Sequence, residues 1–497
     1  MKLAILRAQV KKKKYLKRIE KIRKDEDSDG YLSDDDEDLI DDIIGNSIKN
    51  QYLIIKYLGK GTFSKTWLVY DYINDMFLAI KLFEKKYFDE FEIEISNFKK
   101  INEGMEHPNS GTHPNSGTHP NSGTHPNSGT HPNSGTHPNS GTHPNIIKYY
   151  GEIEYKNSDN FMRGIILELL GDSLDNILRE EYDSKLDLNI IKKIFKNIIS
   201  GVAHIHKLGL VHNDLKLDNI LISKPNKKIL NYIDSIKELS INNFYLKKLK
   251  EFTPTEISFL DKNKRKMVKR KIKEKVNKLL VKQYKQFIIK LNNLSLENLK
   301  LKIDENNDND NDNDNDNDKY KSTHIEIDLK DIEVKIIDFG SAEVIGIMEN
   351  DEILTRSYRP PENILNSYYD NKSDVWVIGC LLYEILNGNS LFDLSNCGVT
   401  GIEKDRVHIS QMCEVLGKIP KEIYLDCDYK EVIFDNKDRL IKHNDIENRN
   451  IKSEINKRII LSELESEEIF KLIIKILDYN FTTRPNCNEI LNYSWFC

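Results

Sequence analysis

From Tyr52 the chain alternates apolar and polar positions on both sides of a glycine pair, "YLIIKYLGKGTFSKTWLVYD". Period-two alternation predicts two half-buried strands, and Gly59 to Ser64 between them predicts the turn of a hairpin. Ten residues on, "FLAIKLFEKK" predicts another strand carrying Lys81. The spacing then becomes helical in "DEFEIEISNFKKI", with Glu94 and Phe98 on one face. Later, "HKLGLVHNDLKLDNILI" runs from a predicted helix end into a strand and sets four polar side chains between two apolar runs.

Four stretches break these patterns. Residues 1–50 hold a basic block, "KKKKYLKRIEKIRK", and then an acidic one, "DEDSDGYLSDDDEDLIDD", with few aromatics, the composition of a disordered, solvated tail in which Ser28 and Ser33 are open to modification. Residues 107–142 are six perfect copies of "HPNSGT". A third stretch, about 224–332, contains "DKNKRKMVKRKIKEKVNKLLVKQYKQFIIK", where Val268, Ile272, Val276, Leu280, Tyr284 and Phe287 predict the apolar seam of a long basic helix. Such a helix suits a nucleic acid, an import receptor, calmodulin or its own host domain, and its sequence does not choose among them. Nested at its end, Asn306 to Lys319 is an Asn/Asp repeat that lacks the turn glycine and closing glutamate of a calcium loop.

Composition narrows the picture. The chain has 497 residues, 31% of them charged, and a mean hydropathy of -0.57, so part of it is not core. Without the three long low-complexity stretches, roughly 300 residues remain, enough for one two-lobed enzyme. The net charge of -6 hides the local blocks and says nothing about partners. All six cysteines lie in the last quarter without zinc-like spacing, as expected of reduced thiols. The N-terminal apolar stretch is short for a signal peptide, and the expectation is a soluble intracellular protein, cytoplasmic or nuclear.

The chemistry lies in the patterned segments. Gly59 and Gly61 let a backbone approach a phosphate, but Ser64 stands where a third glycine would complete GxGxxG, so a plain glycine hairpin remains open. Lys81 on a buried strand needs a carboxylate or a phosphate to offset its desolvation, and Glu94 or a nucleotide can supply it. The four polar residues are His212, Asp214, Lys216 and Asn219. Phosphoryl transfer requires a carboxylate to take the proton of an attacking hydroxyl, a cation near the migrating group and an oxygen ligand for Mg²⁺. Asp214, Lys216 and Asn219 offer these in turn.

The pattern H-x-D-L-K-x-x-N resembles that of eukaryotic protein kinases, and other family motifs follow in order: "VKIIDFGSAE", "TRSYRPPENIL", "KSDVWVIGCLLYEIL" and "FTTRPNCNEIL". The resemblance covers Tyr52 to about Phe496 apart from the inserts. It implies an α+β, bilobal fold: a small antiparallel β-sheet lobe with one helix over 51–168, and a larger, mainly α-helical lobe over 169–223 and 333–497. It implies ATP against Leu58, Gly59, Lys60, Gly61, Thr62, Phe63, Ser64, Lys65, Thr66, Lys81 and Glu94. Leu167 would be the gatekeeper, with backbone groups from Glu168 to Leu170 on the adenine edge. Asp338 and Asn219 would hold Mg²⁺. His212 and Asp374 would support the catalytic loop, and Arg484 would pair with Glu362. Lys216, two residues after Asp214, is the mark of the serine/threonine class.

Arg359, the "ELLG" of the hinge and "HISQMCEVLGKIP" resemble the CMGC group, nearest the SR-protein kinases and their LAMMER-type relatives. The long insert between Asn219 and Asp338 agrees with that branch. The LAMMER signature is absent, however, and two of the carboxylates that dock arginine-rich substrates fall on Asn389 and Val407, leaving Glu414. An Arg/Ser-rich protein substrate is therefore an open expectation; direct nucleic-acid binding and a membrane are not expected. Asn213 replaces the arginine that binds an activation-loop phosphate in many kinases, which implies activity without that phosphate. The competing classes are a pseudokinase scaffold and a small-molecule phosphotransferase; the first would lack Lys81, Asp214, Asn219 or Asp338, the second the "YRPPE" segment.

In this family the turn after the regulatory helix commonly reads H-P-N-I, as "HPNIIKYYGE" does from His143. The six copies before it resemble an expansion of one surface connection. Lengthening a loop from about 5 to about 41 residues costs only about 2 kcal/mol of closure entropy.

Overall fold

The computed structural model describes residues 43–106, 143–156, 161–180, 187–307, 332–346, 355–395, 397–442, 447–455 and 461–496. The repeat array, Ser28 and Ser33, and the Asn/Asp repeat from residue 308 onward lie outside these residues. The chain divides into two compact units, one of Met1–Tyr57 with Lys248–Asp310, the other of Leu58–Lys247 with Asn311–Cys497.

The first unit is a hairpin with a long helix. β1 (Ser47–Ile48) pairs antiparallel with the start of β2 (Tyr52–Lys60), Ser47 opposite Leu53 and Ile48 opposite Tyr52. In the three-residue loop between them Lys49 and Asn50 have φ of 49° and 53°, and the Gln51 N–H closes the turn on the Ile48 carbonyl at 3.1 Å. The long helix, Lys262–Asn307, buries Ile272, Val276, Leu280, Tyr284, Ile288 and Asn292 along a seam of strict four-residue spacing. Asn292 donates to the Ile55 carbonyl at 2.8 Å, and Lys285 to Asn46 Oδ1 at 3.0 Å.

Two sequence expectations are corrected here. Residues 43–50 are not part of a solvated tail, since Ile43, Ile44 and Ile48 are buried. Their hydrophobicity is local and was outweighed by the acidic run beside it. In the helix, Phe287 is 45% exposed and Ile288 takes its place in the seam, because the i+4 rhythm continues where the apolar pattern suggested a step of three.

The second unit begins in mid-strand at Leu58. β3 (Ser64–Asp71), β4 (Met76–Glu84), β5 (Tyr149–Lys156) and β6 (Phe161–Glu168) form an antiparallel sheet in the order β3-β4-β6-β5. The register sets Lys81 between Thr66 and Ile165, and Ala79 beside Leu167. Helix α1 (Phe88–Glu106) buries Phe91, Ile95, Phe98 and Ile101, the apolar face of the helix read from the sequence.

The remainder is mainly helical. α2 (Leu174–Glu180) precedes α3 (Leu188–Lys207), which is capped by Asp187 accepting from the Asn189 N–H at 2.7 Å. β7 (Leu210–Val211), β8 (Ile220–Ile222), β9 (Val334–Ile336) and β10 (Glu343–Val344) make two small antiparallel sheets, β7 with β10 and β8 with β9. Within the spacer, α4 (Lys227–Glu238) and α5 (Ile241–Phe252) are folded, with Tyr232, Ile233, Ile236, Ile241 and Tyr245 buried. Tyr245 packs on Tyr72 with ring centroids 5.1 Å apart, and Asn242 donates to the Tyr72 carbonyl at 2.9 Å. α6 (Lys372–Asn387) is almost wholly buried and ends at Gly388, whose φ of 87° closes the helix. α7 (Gly401–Leu416), α8 (Glu463–Ile476) and α9 (Cys487–Leu491) complete the lobe.

Candidate active site

Lys81 and Glu94 meet as their strand and helix require. The ammonium donates to Glu94 Oε1 at 3.0 Å and Oε2 at 2.8 Å, and to Asp338 Oδ1 at 3.0 Å. Burial alone would lower Lys81, but the two carboxylates outweigh it and hold it above the usual ammonium range. Burial pushes Glu94 up to about 7 even against Lys81, and Asp338 adds to the push. One cation between two carboxylates leaves a net negative charge, so Glu94 titrates high while Lys81 stays charged. Burial also works against the Asp338 carboxylate, yet Lys81, His212 and the Gly340 N–H hold it below the usual range.

The Gly59–Ser64 turn closes through a Gly61 N–H bond to the Ser64 carbonyl at 2.8 Å. Lys60, Gly61, Thr62 and Phe63 are exposed at its tip, while Ser64 and Lys65 are buried. A Cβ on Gly59 would meet nothing within 4 Å, so the turn leaves open space above its backbone. Leu58 packs against the core and Thr66 lies opposite Lys81.

At the hinge, Leu167 is buried beside Ala79. The Glu168 side chain is taken up by Lys335, at 2.7 and 2.9 Å, and by the Lys148 N–H. The Leu170 N–H and C=O have no hydrogen-bond partner among the described residues. Gly171 follows because nothing else fits: a Cβ there would stand 2.1 Å from the Lys224 carbonyl oxygen.

The catalytic-loop residues converge. Asn219 donates to the Asp214 carbonyl at 2.8 Å and to Asp214 Oδ2 at 3.0 Å, and Lys216 lies 3.2 Å from the same oxygen. Both bonds use the Asn219 amide nitrogen and neither uses its amide oxygen. The Ile337 N–H bonds to the Asn219 carbonyl at 3.0 Å and brings Asp338 alongside. The oxygen donors of Asn219 and Asp338 suit a hard cation such as Mg²⁺, which takes one or two protein ligands and fills the rest with phosphate and water. Bound there with ATP, such an ion would neutralise phosphate charge.

The loop is held from behind. Asp374 Oδ2 accepts from the His212 N–H at 2.8 Å and pairs with His206 Nε2 at 2.9 Å, while Oδ1 accepts from the Asn213 N–H at 3.1 Å. Burial opposes that carboxylate's charge, but His206 and these partners keep it below the usual range. His212 contacts the Ile337 carbonyl at 3.0 Å through Nε2 and accepts from the Asp214 N–H through Nδ1. Asn213 and Asp338 each adopt φ of 63°, a left-handed conformation that Asn and Asp tolerate best among non-glycine residues. Arg484 grips Glu362 with two bonds, at 2.7 and 3.0 Å, both side chains being buried.

Three contributors escaped the sequence reading. Thr355 donates to Asp214 Oδ1 at 3.1 Å; it opens the "TRSYRPPE" motif, which was the available signal. Asn97 donates to the Phe339 and Ala342 carbonyls at 2.9 and 2.8 Å, tying α1 to the segment after Asp338. It stands three residues after Glu94 on the helix, and that spacing could have found it. The rings of Tyr149, Phe98, Phe339 and His212 form a continuous chain with centroid separations of 5.1, 5.4 and 5.2 Å. On α7 two carboxylates are committed: Asp405 pairs with Arg356, and Glu403 with Arg406 and Lys442. Asn389 is exposed, and Val407 and Glu414 are half-buried. No helix among the described residues is long and apolar enough to cross a membrane.

Known proteins resemble the chain in sequence and in fold. The protein kinase domain family matches residues 136–237 and 320–496, more than half of the chain. A putative serine/threonine-protein kinase of Acanthamoeba polyphaga mimivirus is 22% identical, over 91% of this chain and 88% of its own length. The serine/threonine-protein kinase SRPK of Physarum polycephalum is 23% identical over 80% and 74%, and protein kinase dsk1 of Schizosaccharomyces pombe 22% over 90% and 80%. A crystallised kinase domain superposes with a TM-score of 0.53 at 20% identity, covering 91% of this chain and 97% of that one, which supports the fold. The chain thus belongs to the protein kinase domain family, and the relatives it resembles include serine/threonine kinases, an SRPK among them.

Proposed function

We propose that the protein transfers the γ-phosphoryl group of ATP to serine or threonine hydroxyls of protein substrates through the residues described, and does so without phosphorylation of its activation loop. The observation that carries the first part is the Asp214 carboxylate. One oxygen is held by Lys216 and Asn219 and the other by Thr355, so a hydroxyl presented there finds an oriented acceptor for its proton. Radiolabelled ATP transfer to general protein substrates by wild type and by Asp214→Ala tests it. Transfer by the wild type alone is expected; no transfer by either would favour a scaffold.

The second part rests on Asn213, whose amide donates to Glu343 Oε2 at 3.1 Å; the Tyr369 hydroxyl contacts the same oxygen at 3.3 Å. A phosphate brought here would meet a carboxylate in place of a guanidinium. Phosphatase treatment is expected to leave activity intact, and loss of activity in the still-folded protein would refute this part.

The substrate class favoured by the named relatives is Arg/Ser-rich protein. The committed carboxylates of α7 argue for a docking mode with fewer acidic contacts than that class usually draws on. Faster phosphorylation of an Arg-Ser repeat than of acidic or proline-directed peptides is the expected result, and the reverse order would discard the assignment.

A further inference from the structure

The long helix of the first unit presents a charged surface that its own fold does not neutralise. Between Lys262 and Lys290 it carries thirteen lysines and arginines and one acid, Glu274. The apolar seam uses only every fourth position. Lys266, Lys269, Lys271, Lys273, Lys278 and Lys282 are exposed and have no ion-pair partner among the described residues. Glu274 is half-buried and is taken by Arg270 at 3.4 Å. Closely spaced like charges raise one another's energy, and a helix this basic attracts a polyanion.

The same chain supplies one. Residues 25–42 contain eleven acidic side chains and no basic one. They join the folded part at Ile43, and the chain then crosses the helix: a Cβ on Gly45 would lie 2.7 Å from Lys285 Cγ, and Lys285 bonds to Asn46. The acidic segment therefore starts at the end of the basic stretch. From Lys285 back to Lys262 is roughly 35 Å of helix at about 1.5 Å per residue. Eighteen residues can extend over about 60 Å, so the segment reaches the whole basic surface without leaving its attachment point. Tethering makes the encounter intramolecular, at an effective concentration near the millimolar range.

We infer that residues 25–42 lie along the basic face of the helix Lys262–Asn307 in the same chain, neutralising it and closing it to other polyanions. The observation that singles out this occupant over a nucleic acid or an acidic partner is the pairing of charge, length and entry point within one chain.

The test uses the full-length protein and a neutral-tail variant in which every Asp and Glu from Asp25 to Asp42 becomes Asn or Gln, with matching thermal melts as the control for folding. Lysine acetylation is followed by mass spectrometry at Lys266, Lys269, Lys271, Lys273, Lys278 and Lys282, with exposed Lys475 as the reference. The inference expects these lysines to react several-fold faster in the variant, and in the wild type at 0.5 M salt, with Lys475 unchanged. Heparin is expected to bind the variant at least tenfold more tightly than the wild type at physiological salt. Equal acetylation rates in the two proteins, or equal heparin affinity, would overturn it. Protection that appears only as protein concentration rises, together with dimers in sedimentation, would assign the segment to a second copy and overturn the same-chain reading.

Discussion

Thr355 donates to one oxygen of Asp214 across 3.1 Å while Lys216 stands 3.2 Å from the other. The carboxylate is thereby fixed in rotation, with Thr355 on one oxygen and Lys216, together with Asn219, on the other. Thr355→Val is expected to lower kcat about tenfold with little change in the KM for ATP, and Thr355→Ser to restore most of it. Lys216→Ala is expected to cost on the order of 10² in kcat, and Asp214→Ala about 10²–10⁴. Steady-state kinetics on a protein substrate checks all four; an unchanged kcat for Thr355→Val would mean that Asp214 is held without it.

The buried Arg484–Glu362 pair sits on the Trp376 ring, with the guanidinium carbon 5.1 Å from the ring centre. Removing one partner strands the other charge out of water, a loss of about 3–5 kcal/mol. Arg484→Ala is expected to lower the Tm steeply. Arg484→Lys should rescue it only in part, since an ammonium cannot make the two-pronged contact. Equal melting of wild type and Arg484→Lys would show that shape is immaterial here.

Gly171 has no room for a methyl group. Gly171→Ala must move either the Lys224 carbonyl or the hinge, at a cost of about 1–3 kcal/mol. The expected signature is a raised KM for ATP beside a lowered Tm, because the same backbone would face adenine. A Tm loss with no change in nucleotide affinity would place the strain entirely on the spacer side.

His143 stacks on His204 with centroids 4.7 Å apart, and its Nε2 lies 3.4 Å from the Ser200 hydroxyl. Burial, with the His204 ring, holds His143 down at about 4, and burial also lowers His204. In the unfolded chain both titrate near 6.5. Below that pH the unfolded state takes up protons that the folded state refuses. Stability from this pair is therefore level above about pH 6.5, falls as the pH drops toward 4, and then levels off. His143→Gln is expected to show a smaller Tm decrease between pH 7 and pH 5 than the wild type. Parallel pH profiles would rule the pair out as the source.

The fold of the second unit was legible because its polar residues stand in ordered motifs whose spacing only one arrangement satisfies. Lys81, Glu94, Asp214, Asn219 and Asp338 are brought together from positions up to 257 residues apart. The spacer was harder to read. Its buried residues, such as Ile236, Ile241 and Tyr245, are outnumbered by lysine and asparagine, so a window average describes solvent while single side chains form a core. Asn97 and Thr355 were missed for another reason: they act through one hydrogen-bond direction each, which no composition or periodicity records.

The turn at His143 carries one last consequence. Asn145 donates to the Val334 carbonyl at 3.1 Å, and its own carbonyl accepts from the Ile336 N–H at 2.9 Å. Six earlier copies offer the same His-Pro-Asn triplet, but each is followed by serine, whereas Asn145 is followed by Ile146 and Ile147, both buried. Burying these two is worth about 1.5–3 kcal/mol each, enough to settle which copy docks. Because each unit is a whole number of codons, slippage during DNA replication can add or delete copies without shifting the reading frame. The isoleucines keep the docked register the same whatever the copy number, so the gene can vary in length here while the enzyme's frame stays put.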